Sequence, residues 1–214
     1  MTNASNYSNF KEELANAITH GLGLLLSIIG IPVLISFGVD QAAFSQIIGL
    51  AIFCFSLLMV YTSSTLYHSF QHVALKKAFR LIDHISIYFL IAGTHTPFIL
   101  MYLNNTKGTI FLILLWTLVG IGVLYKLFFM NRFKWFSLIF YLGLAYMAVF
   151  TLPSMMEVMS MTCLFWIIGG GVSYTLGTFF YVFEKIPYHH AIWHLFVIGG
   201  SLCHFIALLE AVQP

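Results

Sequence analysis

Three histidines have the types and spacing of metal ligands. His190 and His194 are four residues apart, so a helix would place them on one face, where they could bind one ion together. His68, from a distant apolar stretch, would complete a three-histidine set. Neutral imidazole suits Zn²⁺, whereas Mg²⁺ and Ca²⁺ prefer oxygen ligands. Three protein ligands with a fourth position open to water are typical of a catalytic zinc, which is the chemistry that this set predicts.

Asp83 and Ser64 are the candidate catalytic residues beside such an ion. Asp83 could be a fourth ligand, or it could contact the metal through water and accept the proton of that water as general base. Ser64 lies one turn before His68 on the same helix face and could donate a hydrogen bond to a polarised carbonyl. Simpler interpretations stay open: Asp83 as an interfacial carboxylate near Arg80 or Lys77, and Ser64 bonded to a carbonyl of its own helix.

The composition is that of an integral membrane protein. Of the 214 residues, 60% are hydrophobic and 7% are charged, and the mean hydropathy is +0.94. A soluble domain has about 25% charged residues, so the bilayer must be the solvent of this chain. The net charge of +2 argues against a nucleic-acid partner. Cys54, Cys163 and Cys203 lie in apolar stretches without a CxxC motif, so neither a disulfide framework nor a thiolate metal site is expected.

The apolar runs predict the elements that must position these residues. They indicate an all-α bundle of seven transmembrane helices in a single domain, residues 1–214, with a polar N-terminal segment at residues 1–16. The first apolar run is too long for a signal peptide, so it is interpreted as a span of the mature protein. The predicted spans are Ala17–Phe37, Ala43–Thr65, Leu81–Leu103, Gly108–Phe129, Trp135–Leu152, Met161–Phe183 and His190–Leu209.

The distribution of Lys and Arg predicts the orientation of the bundle. With the N-terminus inside, eight of the nine cations fall on the inner side and only Lys107 falls outside. The N-terminus is therefore expected in the cytoplasm and the C-terminus outside, in the cell (plasma or inner) membrane. This topology places His68, Asp83, His190 and His194 at the cytoplasmic ends of the second, third and seventh spans. Four metal-compatible groups thus converge on one leaflet.

Other histidines fit the same ion less well. His189 is the alternative ligand if the helix register is shifted by one residue. His95 lies about 18 Å along its helix from Asp83, and His204 lies about 15 Å from His194, at 1.5 Å per residue. These two could not share the ion. They would either hydrogen-bond each other at similar depth or extend a polar path across the bundle.

Four segments carry a resemblance to a known family: Glu12–Gly21, Ser64–Ser69, Leu81–His84 and His190–His194. They resemble the bacterial hemolysin III family, which belongs with the progestin and adipoQ receptors, including the adiponectin receptors. The similarity covers nearly the whole chain, in motif order and in number of spans. Within the first segment, His20 is expected only to pack the end of the first span.

The resemblance implies a zinc ion bound by His68, His190 and His194. It also implies that Asp83 and Ser64 lie close to the metal and its water, on the cytoplasmic side of the bundle. The family's eukaryotic relatives point to amide-linked lipids such as ceramides as the class of substrate.

Three functions stay open. The first is an intramembrane zinc-dependent hydrolase of a lipid amide or ester, with a role in membrane homeostasis. The second is a zinc-stabilised sensor or receptor of membrane state without turnover, favoured because no HExxH glutamate is present and Asp83 is the sole candidate base. The third is a hemolysin-type cytolytic protein, although a pore needs a continuous polar lining that the spans lack. Membrane lipids are the expected partners, and the oligomeric state is left open.

Overall fold

The computed structural model describes residues 2–38, 43–130 and 134–213, and these ranges contain helices and no strand. The short 3-10 segment Met147–Phe150 follows the fifth of eight α-helices. In chain order the helices are α1 Thr2–Gly38, α2 Phe44–Ser69, α3 Val73–Tyr102, α4 Thr106–Phe129, α5 Lys134–Tyr146, α6 Leu152–Met156, α7 Met161–Val182 and α8 His189–Val212.

Six helices in the described ranges are long and apolar enough to cross a membrane, which makes the chain a multi-pass membrane protein. They are α1 from Phe10 onward, α2, α3, α4, α7 and α8. The remaining predicted span, Trp135–Leu152, differs from expectation because its apolar helix Trp135–Phe150 is shorter. The α-helix ends at Tyr146 and continues as the 3-10 segment Met147–Phe150. Pro153 then prevents further regular helix, because it cannot donate to the Val149 carbonyl and its ring crowds that carbonyl.

Two helices begin earlier than the predicted spans. Helix α1 starts at Thr2, so the polar N-terminal segment continues the first span as one helix. Helix α3 starts at Val73, and only residues 70–72 separate it from α2. So short a connection makes α2 and α3 antiparallel neighbours, and it brings the end of α2 beside the start of α3.

The helices form a bundle in which α1 packs against both α2 and α8, α2 packs along α3, and α7 packs along α8. Large buried side chains fill the interior between them, among them Phe53, Tyr61, Tyr88 and Leu208. Because α1 packs against both α2 and α8, its inward face lies next to the side chains that those two helices contribute. The metal-compatible residues are among them.

Close packing of α2 on α3 depends on Gly49. A Cβ atom there would lie 2.8 Å from the main-chain Cα of Pro97. We expect Gly49→Ala to lower the free energy of unfolding by about 1–3 kcal/mol, the usual cost of overpacking, despite alanine's higher helix propensity. Gly120→Ala on α4 is the matched control, since a Cβ there meets nothing within 4 Å. Thermal unfolding of the two variants in one detergent checks the prediction, and equal melting temperatures would contradict it.

Candidate metal centre

The three predicted histidine ligands meet in the structure. One ring nitrogen from each of His68, His190 and His194 lies within 4.8 Å of the other two. His68 comes from the last turn of α2, while His190 and His194 come from the first two turns of α8. His68 and His194 are only 4% and 0% exposed, so the group lies inside the bundle. The i, i+4 spacing on α8 is what places two of the rings together.

The donor atoms of this cluster fit a metal ion. The Nε2 atoms of all three histidines are buried and have no hydrogen-bond partner among the described residues. A buried polar atom without a hydrogen-bond partner lowers the stability of the folded protein, and each of these three atoms would do so. One cation would give all of them a partner. Three imidazole nitrogens suit Zn²⁺ better than an oxygen-preferring ion.

Helix α1 fixes which ring nitrogen carries the proton. His68 Nδ1 lies 2.9 Å from Glu13 Oε2, and His194 Nδ1 lies 3.2 Å from the Asn16 carbonyl oxygen and 3.0 Å from Thr19 Oγ1. A carboxylate and a carbonyl only accept hydrogen bonds, so each Nδ1 donates and each Nε2 keeps its lone pair. Such outer hydrogen bonds orient metal-binding histidines in known sites.

These partners on α1 were not among the predicted site residues. Glu13 also accepts a hydrogen bond from Lys76 Nζ at 2.8 Å, so one carboxylate links α1 with α2 and α3. The signal was present in the sequence, because Glu13, Asn16 and His20 recur at a spacing of three and four residues and so share one helix face. The prediction of a polar segment at residues 1–16, preceding the first span, leaves this helix face out of the predicted site.

Ser64 does not form the hydrogen bond that its simpler interpretation requires. Its Oγ is buried and has no partner among the described residues, whereas the hydroxyl of the adjacent Ser63 bonds to the Val60 carbonyl. A buried hydroxyl with an unused donor, four residues before His68, keeps its capacity to hydrogen-bond a bound molecule.

Asp83 is buried, with 6% of its surface exposed, and its Oδ2 lies 3.6 Å from His84 Nδ1. The group of nitrogens within 4.8 Å consists of the three histidines and does not include Asp83. The geometry therefore does not support direct ligation by Asp83, and its contact with the metal through water stays a prediction.

His20 lies closer to the cluster than its expected packing role implied. Its ring stacks on His194 with centroids 3.5 Å apart and planes 16° from parallel. Both of its ring nitrogens are buried without a partner among the described residues. By contrast, the alternative ligand His189 is turned away, with Nδ1 3.0 Å from the Phe180 carbonyl oxygen.

A cavity of about 480 Å³ lies beside the cluster, and His20 and Asp83 are part of its lining. The rest of the lining is mainly apolar and comes mostly from α3, α5, the 3-10 segment, α7 and α8, with single residues or short stretches from α2 and α6. Val149 and Leu176 line it and are 61% and 53% exposed, so the cavity reaches the outer surface of the bundle between the 3-10 segment and α7. A molecule in the bilayer could enter there.

Comparison with known proteins identifies the family to which the sequence is similar. The family model described as haemolysin-III related matches residues 8–205. The chain is 43% identical to Hemolysin-3 homolog of Bacillus subtilis (strain 168) and 38% identical to Hemolysin-3 of Bacillus cereus, covering 93% of each relative and 93% and 95% of this chain. It is 26% identical to human monocyte to macrophage differentiation factor, over 92% of this chain and 83% of that protein.

No solved structure gives a significant match. The family predicted from the four sequence segments is confirmed by the match over residues 8–205 and by relatives that are similar over almost their whole length. This chain therefore belongs to the haemolysin-III-related family of membrane proteins.

Proposed function

We propose that the chain is an intramembrane zinc-dependent hydrolase that acts on a lipid amide or ester and serves membrane homeostasis. One observation carries the proposal: three buried, unpartnered Nε2 atoms converge beside an apolar cavity that a buried carboxylate also lines. Cluster, carboxylate and apolar cavity together match what hydrolysis of a lipid requires.

His68, His190 and His194 would hold the ion. When bound, zinc would lower the pKa of its water towards about 7 and polarise a carbonyl. The Asp83 carboxylate would accept the proton of that water. Ser64 Oγ, with its donor unused, would hydrogen-bond the carbonyl oxygen of the substrate. The apolar cavity would hold the hydrocarbon chain and exclude bulk water.

The cavity supports a lipid over a polar metabolite. Its lining contains no Lys or Arg among the described residues, and Asp83 is the one carboxylate there. With the N-terminus in the cytoplasm, as the distribution of cations predicts, the site would lie in the cytoplasmic half of the cell membrane.

Bound metal is the direct test. Purified without chelators, the protein should contain about one zinc per chain by elemental analysis, because one three-histidine set holds one ion. His190→Ala/His194→Ala should lose it, since two of three ligands are removed. His72→Ala is the control, as His72 is exposed at the start of α3. A wild-type protein without zinc would remove the basis of the hydrolase proposal.

A zinc-stabilised sensor of membrane state is the second candidate. It is favoured by the way the cluster joins helices: α2 and α8 supply the rings, and α1 supplies the outer hydrogen bonds. Zinc would then hold the helices together without turnover. The cytolytic activity suggested by the relatives' name, Hemolysin-3, is less well supported, because a pore needs a continuous polar lining and this cavity is lined mainly by apolar residues.

A further inference from the structure

Two more histidines line the same cavity at a distance from the metal centre. They are His95 on α3 and His204 on α8. Along their helices they lie about 18 Å from Asp83 and about 15 Å from His194, at 1.5 Å per residue. Neither belongs to the group of ligand atoms that lie within 4.8 Å of one another. The two histidines are polar residues in a part of the cavity lining that is otherwise mainly apolar.

The main chain fixes the hydrogen-bonding role of both rings. His95 Nδ1 lies 2.8 Å from the Ile91 carbonyl oxygen, and His204 Nδ1 lies 2.8 Å from the Gly200 carbonyl oxygen. Each Nδ1 therefore donates, and each neutral ring keeps Nε2 as an acceptor. His95 Nε2 is buried without a partner, and no hydrogen bond joins the two histidines within the described part of the chain.

The position of the His204 ring is also set by its neighbours. It stacks on Tyr174, with centroids 5.5 Å apart and planes 14° from parallel. The Tyr174 hydroxyl lies 2.9 Å from Ser201 Oγ, which also accepts a hydrogen bond from Tyr61 at 2.8 Å. Gly170 leaves the space that the ring occupies, because a Cβ there would overlap it. Such packing holds an acceptor in place before any ligand binds.

We propose that His95 and His204 form a second polar subsite that binds the hydroxyl group of a single-chain lipid lying in the cavity. The Nε2 acceptors on this apolar wall suit a ligand that can donate a hydrogen bond. A hydroxyl can donate to one of them, whereas an ether or an ester has no hydrogen to donate. An anionic headgroup would not suit this place, because no Lys or Arg is found among the described lining residues. The subsite goes beyond the proposed hydrolysis and does not depend on the metal.

Competition between two matched probes tests the subsite. Radiolabelled dodecanol is bound to the purified protein in lipid nanodiscs and displaced by unlabelled dodecanol or by dodecyl methyl ether. The wild-type protein should prefer the alcohol by about tenfold, the scale of one hydrogen bond gained. His95→Leu/His204→Leu should bind both probes equally, with its affinity for the ether unchanged. His72→Leu should keep the full preference.

A glycine pair provides a test that leaves both histidines in place. Gly170→Ala should displace the His204 ring and reduce the preference for the alcohol, whereas Gly169→Ala should not, because a Cβ there makes only a 3.8 Å contact with Cys203 Sγ. If the double leucine variant is not monodisperse, this pair decides the question.

Equal binding of alcohol and ether by the wild-type protein, or a preference that survives these substitutions, would overturn the subsite. Zinc is measured in every sample. Absence of zinc with the preference intact would count against the proposed hydrolase and leave the subsite standing.

Discussion

Asp83→Asn should lower turnover by about 10²–10⁴-fold while bound zinc stays at its wild-type level, since that range is typical of losing a general base. Asparagine keeps the shape of the side chain but cannot accept the proton. Asp83 is not one of the three residues that would hold the metal, so the metal should remain bound. The measurement is hydrolysis of whichever fluorogenic lipid amide or ester the wild-type protein cleaves, with zinc determined on the same samples.

The chain offers a matched control for this substitution. Asp40 is its only other aspartate, and Asp40→Asn should leave turnover unchanged. Asp40 lies outside the described residues, between the first two predicted spans and at the end opposite the predicted site. His190→Ala/His194→Ala should lose zinc and turnover together. A sensor would give a different result: no wild-type turnover for Asp83→Asn to reduce, and a structural change only in the histidine variant.

The histidine cluster could be predicted because two simple regularities locate it. A spacing of four places His190 and His194 on one helix face, and the ends of apolar runs fix the depth of His68. The depth of each residue in the membrane and the helix face on which it lies are enough to predict the cluster, because the helices of a membrane bundle lie roughly side by side. The structure brings these three residues within 4.8 Å, as the sequence indicated.

Features that depend on lateral packing could not be predicted in the same way. Whether Ser64 bonds to its own helix, or whether His95 bonds to His204, depends on rotamers and on the rotation of neighbouring helices. The shortened helix before Pro153 was missed because hydropathy continues through Phe150 although regular helix geometry ends at Tyr146. The contribution of helix α1 does not follow from polarity, because polarity predicts that the buried part of the helix begins at Ala17, whereas Asn16 is buried as well.

Glu13→Ala should weaken zinc binding by about 10–100-fold, the usual effect of removing an outer partner of a metal-binding histidine. Without the carboxylate 2.9 Å away, the Nδ1 proton of His68 loses its acceptor, so the ring is no longer held with Nε2 available to the ion. Competition with a chromogenic chelator measures the affinity. Glu12→Ala is the matched control, since Glu12 forms no ion pair within the described residues.

A substitution of Lys76 distinguishes two explanations of the weaker zinc binding expected for Glu13→Ala. Lys76 Nζ lies 2.8 Å from the same Glu13 oxygen that faces His68, so Glu13→Ala removes an ion pair between α1 and α3 as well as the bond to the ring. Lys76→Met removes the ion pair and keeps the bond to His68. If the carboxylate acts through the histidine, Lys76→Met should change zinc affinity by less than about threefold, because a partly exposed ion pair contributes little. An equal loss in Lys76→Met and Glu13→Ala would instead mean that α1 acts by holding the helices together, and Glu13 would have no specific role in preparing His68 for metal.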